Sequence, residues 1–231
     1  MNQNGMKNYN EIFGIKEEKK KSLPWLFITC VALALAVIIL LSVFLSSYLG
    51  TVRLVSRDGG TVLLDKRHEV EYLLAPMCYE PIRYGEVYAR HEGVDFYTVM
   101  DADPREYLCT IDMNVYDIYY ASTVTLPTLE EFDPEWTVVC RIEVEAVQTG
   151  SVNEEDTKAL IDYYLAAEAV EKPSSKDTET VLYFKFMSQK YPFLFYSINY
   201  YVTKDGARYL YDRPNGRCVL LGDDFKDIVK K

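Results

Sequence analysis

The sequence predicts an α+β body with a mainly antiparallel sheet, placed behind one N-terminal membrane-spanning helix. Three observations lead there. The stretch Trp25–Leu45, WLFITCVALALAVIILLSVFL, holds no charge, no Pro and no Gly. At about 1.5 Å per residue it makes a helix of roughly 31 Å, which matches a bilayer's hydrocarbon core. Beyond it, short runs rich in β-branched and aromatic residues recur between turn-forming Gly, Pro, Asp and Asn. One long helical pattern interrupts these runs and a short helical segment ends the chain, an order typical of α+β architecture.

Residues 1–22 read as a polar cytoplasmic tail with a small apolar cluster at Tyr9, Ile12, Phe13 and Ile15. Residues 23–49 read as a signal anchor that enters the lipid bilayer through Trp25–Leu45, and 50–231 as one extracytoplasmic domain. Lys19, Lys20 and Lys21 abut the span, whereas Arg53, Arg57, Lys66 and Arg67 lie farther off on the other side. The positive-inside rule therefore puts the N-terminus in the cytoplasm. Trp25 and Tyr48 stand where interfacial aromatics belong. Thr29 and Ser42 can return their hydroxyls to helix carbonyls, so neither opposes insertion. The apolar run exceeds the core of a cleaved signal peptide, and no small-x-small site follows it, which favours an uncleaved anchor.

Past the span, TVRLVSRDGGTVLLDK predicts a hairpin turning at Asp58-Gly59-Gly60. RHEVEYLLAPMCYEPIRYG, broken by Pro76 and Pro81, reads as irregular with one short helix. Strands are expected at Glu86–Ala89, Val94–Met100, Tyr107–Ile111 and Asp117–Thr125, with a turn at DADP. Thr128 followed by Glu131 is a capping box for one helical turn between two prolines. In Trp136–Val147, Trp136, Val138, Cys140, Ile142, Val144 and Ala146 alternate with more polar residues, predicting a single long strand whose first set faces the core. Ser151 or Asn153 then caps a helix with Glu154, Glu155 and Asp156 in its first turn. Its apolar face is Leu160, Ile161, Tyr164 and Leu165, and it ends near Lys172-Pro173. A meander follows through VLYFKFM, PFLFYSINYYVT, ARYLY and RCVLL, and Asp223 caps a short C-terminal helix.

The chain has 25 Lys and Arg against 35 Asp and Glu. Five of the former and three of the latter precede the span, so the outer domain carries a formal charge of −12. That balance argues against nucleic acid, which needs a basic footprint. Cys78, Cys109, Cys140 and Cys218 could form two disulfides, but Cys109 and Cys140 fall inside apolar strands, where a reduced thiol is an ordinary core residue. No CxxC, HExxH or GxSxG occurs, and only His68 and His91 are present, so no catalytic residue, metal ligand or cofactor is assigned. Cys78 with His91 as nucleophile and base lacks any supporting signature, and Asp101-x-Asp103 reads as a turn rather than a calcium loop. The paired acids at 130–131, 154–155 and 223–224 suit helix first turns.

What stands out is aromatic. Eighteen of the 20 tyrosines lie beyond the span. In PFLFYSINYYVT both strand faces are aromatic, which suits a central strand covered on each side. The sharper alternative makes Phe193, Phe195 and Tyr201 an exposed surface for peptides or sugars, beside Asn199 and Thr203. A short tail, a signal anchor and an α+β outer domain together resemble the layout of single-pass scaffold subunits of cell-envelope machines, such as division or secretion assemblies. The expected function is a membrane-anchored, extracytoplasmic binding or scaffold module with a protein partner in the envelope. The alternatives are an anchored hydrolase using carboxylates, or a sensor or immunity-type protein meeting a peptide outside.

Overall fold

The computed structural model describes residues 25–112, 115–142 and 146–229. The chain divides into two units at Gly50/Thr51. The first holds helix α1, Trp25–Gly50, and between Phe27 and Phe44 it is long and apolar enough to cross a membrane, by length and composition. The described side chains are exposed around its whole circumference. Thr29 Oγ1 donates to the Trp25 carbonyl at 3.1 Å and Ser42 Oγ to the Ile39 carbonyl at 2.8 Å, so both hydroxyls are spent within the helix. Lys19, Lys20 and Lys21 lie outside the described residues, as does the side chain of Tyr48; Trp25 opens the helix.

The second unit is mostly sheet. Strands β1 (Val52–Arg57), β2 (Val62–Asp65) and β3 (Val70–Leu74) form an antiparallel meander. The chain leaves it as β4 (Tyr79–Pro81), then returns as β5 (Tyr84–His91), β6 (Val94–Val99), β7 (Tyr107–Asp112) and β8 (Val115–Ala121). These seven, without β4, close a barrel in the order β1-β2-β3-β8-β7-β6-β5, sealed by a parallel pairing of Val52 with Ala89. Closure leaves no free sheet edge there. Val52, Leu54, Leu63, Tyr72, Ala89, Phe96 and Leu108 fill the barrel as its own cluster.

After helix α2 (Leu129–Phe132) come β9 (Trp136–Ile142), β10 (Ala146–Val152), helix α3 (Glu154–Ala166) and strands β11 (Thr178–Met187), β12 (Leu194–Thr203), β13 (Arg208–Asp212) and β14 (Arg217–Leu221). They make a second, antiparallel sheet in the order β10-β9-β11-β12-β13-β14. One side of β12 pairs with β11 along its length. The other is shared, since β4 takes Leu194–Tyr196 and β13 takes Asn199–Val202. Registered partners put Val139, Phe184, Ile198, Leu210 and Val219 on one face. That face joins Leu160, Ile161 and Tyr164 of α3, together with Cys109 and Ile118 from the barrel strands, in the larger core.

Several local expectations are met. Thr128 and Glu131 form both bonds of the capping box, and the Asn153 side chain accepts from the Asp156 N–H at 2.8 Å. Other expectations need correction. The irregular stretch after Arg67 contains β3 and β4, where Pro81 is tolerated because β4 pairs on one side only. The single strand Trp136–Val147 is two, since Ile142 pairs back onto Ala146. Its faces are also reversed at the start: Thr137 and Val139 are buried, while Trp136 is 36% exposed. Thr137 escapes the cost of burial by bonding Thr157 of α3, Oγ1 to Oγ1, at 2.9 Å. Helix α3 stops at Ala166, six residues before Lys172, and Leu165 is exposed. The short C-terminal helix is one 3-10 turn, Asp223–Phe225. Its cap position is Gly222, which has no side chain to offer, and Asp223 pairs with Lys226 instead. With α3 the only helix of several turns among the described residues of this unit, the body is richer in sheet than a balanced α+β fold.

At one end of the barrel, buried Asp65 gathers four donors. Its carboxylate accepts from the Arg67 N–H at 2.8 Å, the His68 N–H at 3.2 Å, His68 Nδ1 at 2.7 Å and the Tyr88 hydroxyl at 3.1 Å. Burial alone would raise this carboxyl, but the hydrogen bonds from His68, Arg67 and Tyr88 outweigh it and hold it below the usual range. A carboxylate lowered in the folded state adds stability above its unfolded pKa of about 4, and that stability is lost as pH falls through the folded value. Equilibrium urea unfolding at pH 7 and pH 3 therefore should show a smaller acid loss for Asp65→Asn than for the wild type, whose stability is greater at neutral pH. In the same assay Val139→Ala costs about 2 kcal/mol, whereas Val138→Ala on the opposite face costs less than about 1 kcal/mol.

Candidate functional site

The second face of the sheet carries polar and aromatic side chains together. Pairing places Cys140 opposite Tyr183, Lys185 opposite Ser197, Phe195 opposite Glu80, and Asn199 opposite both Tyr183 and Tyr211. Strands present alternate residues to one side, so these groups share a surface. Lys185 Nζ donates to Glu80 Oε2 at 2.5 Å, and Ser197 Oγ donates to Glu80 Oε1 at 2.6 Å. The ion pair is mostly buried, with side chains 14% and 20% exposed. Lys185 also lies 5.5 Å from the centre of the Phe195 ring, so the ammonium faces a carboxylate and a π-surface at once.

Around this centre is a cleft of about 210 Å³. Its lining includes Glu80, Lys185, Ser197 and Asn199 from the sheet, Tyr116 and Asp117 of β8, and Met77 and Arg213. Clefts that hold whole small-molecule ligands measure roughly 300–1,000 Å³, so the space suits one inserted side chain better than a complete ligand. Both Glu80 oxygens are engaged, one by an ammonium and one by a hydroxyl, which makes it an anchoring acceptor rather than an available general acid.

The three aromatic residues singled out from sequence are brought onto β12 or its entry, but not as one exposed patch. Phe193 precedes the strand, and its ring lies 5.0 Å from that of Tyr107, against the larger core. Phe195 is half-buried beside the cleft under Lys185. Tyr201 is buried, its ring 6.1 Å from Tyr211, with Lys172 over both. An open surface containing Tyr201 is therefore not what the fold presents; the segment after α3 carries Lys172 across it. Glu80 and Lys185, the centre of the cleft, went unnoticed in the sequence. They are 105 residues apart, and the β4–β12 and β11–β12 pairings bring them together.

The other residues weighed for chemistry are dispersed. His91 Nδ1 lies 3.1 Å from the Leu54 carbonyl on the barrel, apart from Cys78. All four body cysteines are free and buried, and burial pushes Cys78 and Cys109 up to about 12, far from a reactive thiolate. Asp103 is occupied by Arg105, and Asp101 by Arg83. Among the described residues no three His, Cys, Asp or Glu side chains converge as a metal site.

Compared with protein-family models, with curated proteins and with solved structures, the chain matches none. The class defined by its geometry is a closed seven-stranded barrel joined through β4 to an open antiparallel sheet.

Removing one partner of a mostly buried ion pair strands the other charge. Glu80→Ala is expected to cost about 3 kcal/mol in urea unfolding, and Glu80→Gln combined with Lys185→Met to recover most of that loss. A double variant no more stable than Glu80→Ala would show that the cleft is held by something other than this pair.

Proposed function

We propose that this chain is a single-pass, membrane-anchored binding or scaffold module, with its N-terminus in the cytoplasm and the sheet-and-barrel body outside. The observation that carries the reading is α1, whose run from Phe27 to Phe44 is long and apolar enough to cross a bilayer and has no buried residue. An apolar surface of that extent needs a covering, and a bilayer supplies it without any protein contact. Lys19, Lys20 and Lys21 support the orientation.

On this reading the work of the body is to hold a protein partner near the membrane. The anchor raises the effective concentration of body and partner for each other by confining both to a surface. The cleft at Glu80 and Lys185 supports docking of a protein side chain through its size and its fixed ion pair. Oppositely charged Asp117 and Arg213 at its margins favour a polar contact over a purely apolar one. The engaged state of Glu80 weighs against the hydrolase alternative, which needs a carboxylate free to give or take a proton.

Protease added to intact cells is expected to digest the chain beyond Gly50, and full protection would reverse the orientation. Crosslinking on cells carrying the full-length protein, followed by pull-down, is expected to recover one or two envelope proteins in stoichiometric amount. The Glu80→Gln, Lys185→Met double variant should recover at least fivefold less. Equal recovery would remove the cleft from the docking surface, and no specific recovery from folded protein would remove the scaffold role.

A further inference from the structure

The face of the sheet turned toward α3 holds a second cleft. Asp212 at the end of β13 stands directly opposite Arg217 at the start of β14. Opposite charges in such positions ordinarily attract across the strands, yet these two form no ion pair. Asp212 Oδ2 accepts from the Tyr196 hydroxyl and from Asn215 Nδ2, both at 2.8 Å, while Oδ1 has only a long contact of 3.4 Å from the Asn215 N–H. Arg217 turns away and donates through Nη2 to the carbonyls of Tyr164, Leu165 and Ala167 at the end of α3, at 3.0, 3.3 and 2.7 Å.

Two donors are left over. Arg217 Nε makes no hydrogen bond, and neither does the hydroxyl of Tyr164, a residue only 2% exposed. Unpaired buried donors are costly and uncommon in folded proteins. Both residues line a cleft of about 360 Å³ together with Asp212, Tyr196 and Asn215, and Pro76 and Leu126 give it an apolar wall. That volume lies within the range of small-molecule sites, roughly 300–1,000 Å³.

An acid and a base are thus held apart, with unpaired donors on the basic side and an under-used carboxylate oxygen on the other. The shortage is of an acceptor near Arg217 and Tyr164 and of a donor near Asp212. We propose that this cleft binds a free α-amino acid, its carboxylate meeting Arg217 Nε–H and the Tyr164 hydroxyl and its ammonium meeting Asp212 Oδ1. The apolar wall takes a small aliphatic side chain. The zwitterion leaves the net charge of the cleft unchanged, whereas a simple anion would face Asp212 and the exposed Glu130 at the same cleft, and a simple cation would face Arg217.

The test is calorimetric titration of the full-length protein in detergent micelles with L-alanine and L-leucine, beside N-acetyl-L-alanine and L-alaninamide, each of which keeps one charge only. Saturable binding of either amino acid is expected, with both blocked analogues at least tenfold weaker. Tyr164→Phe removes a hydroxyl that has no protein partner, so its melting temperature should equal or exceed that of the wild type while affinity falls about tenfold. Arg217→Gln serves as a second variant and should abolish saturation. Absence of saturable binding by either amino acid, equal binding of the blocked analogues, or unchanged affinity in Tyr164→Phe would each overturn the proposal.

Discussion

The pairing of Tyr79–Pro81 with Leu194–Tyr196 is the contact on which the rest of the body depends. β4 arises between barrel strands but pairs with the other sheet, so one short segment of chain links the two. The same strand reaches both clefts: Glu80 extends to Lys185 and Ser197 on one face, while Tyr79 packs on Tyr196 on the other, ring centres 5.3 Å apart. The Tyr79 hydroxyl also donates to the Pro127 carbonyl and so ties the entry of α2 to the same point. Such a long-range pairing has a loop-closure cost that only the surrounding burial can offset.

That burial is unusually aromatic. Phe184 stacks on Tyr200, Phe132 on Tyr191, and Tyr196 is wholly enclosed. Tyrosine in a core needs an outlet for its hydroxyl. Tyr72, Tyr79 and Tyr196 find theirs in the Pro104 carbonyl, the Pro127 carbonyl and the Asp212 carboxylate respectively. Each such bond fixes a loop or turn to the core, so the abundance of tyrosine serves register as well as volume. Tyr164 is the exception, and its lack of a partner coincides with the second cleft.

How far local sequence could be trusted depended on how local the cause was. Asn153 and the Thr128–Glu131 box were legible because a cap is decided by neighbours within one turn. The hairpin at Asp58–Gly60 was legible for the same reason, positive φ at Gly59 being easy without a side chain. β9 misled because alternation reports that two faces differ, without reporting which one meets α3. Thr137 is polar in isolation and becomes a core residue only through Thr157, twenty positions away. Tyr201 misled likewise: an aromatic residue beside Asn and Thr resembles a surface, until Lys172 is laid over it.

The sequence by itself determined the apolar helix, the caps at Thr128 and Asn153, and the existence of most strands, since hydropathy and backbone preference act over a few residues. It also implied that the strand of Leu194–Thr203 is covered on both sides, because both of its alternating sets are aromatic. Only the tertiary structure decided that seven strands close into a barrel, that β4 deserts it for the other sheet, and that Glu80 meets Lys185 while Asp212 avoids Arg217. Those outcomes rest on which strand edges find each other across long stretches of chain. Edge pairing uses backbone hydrogen bonds common to every residue but proline, so the side-chain pattern alone does not encode it.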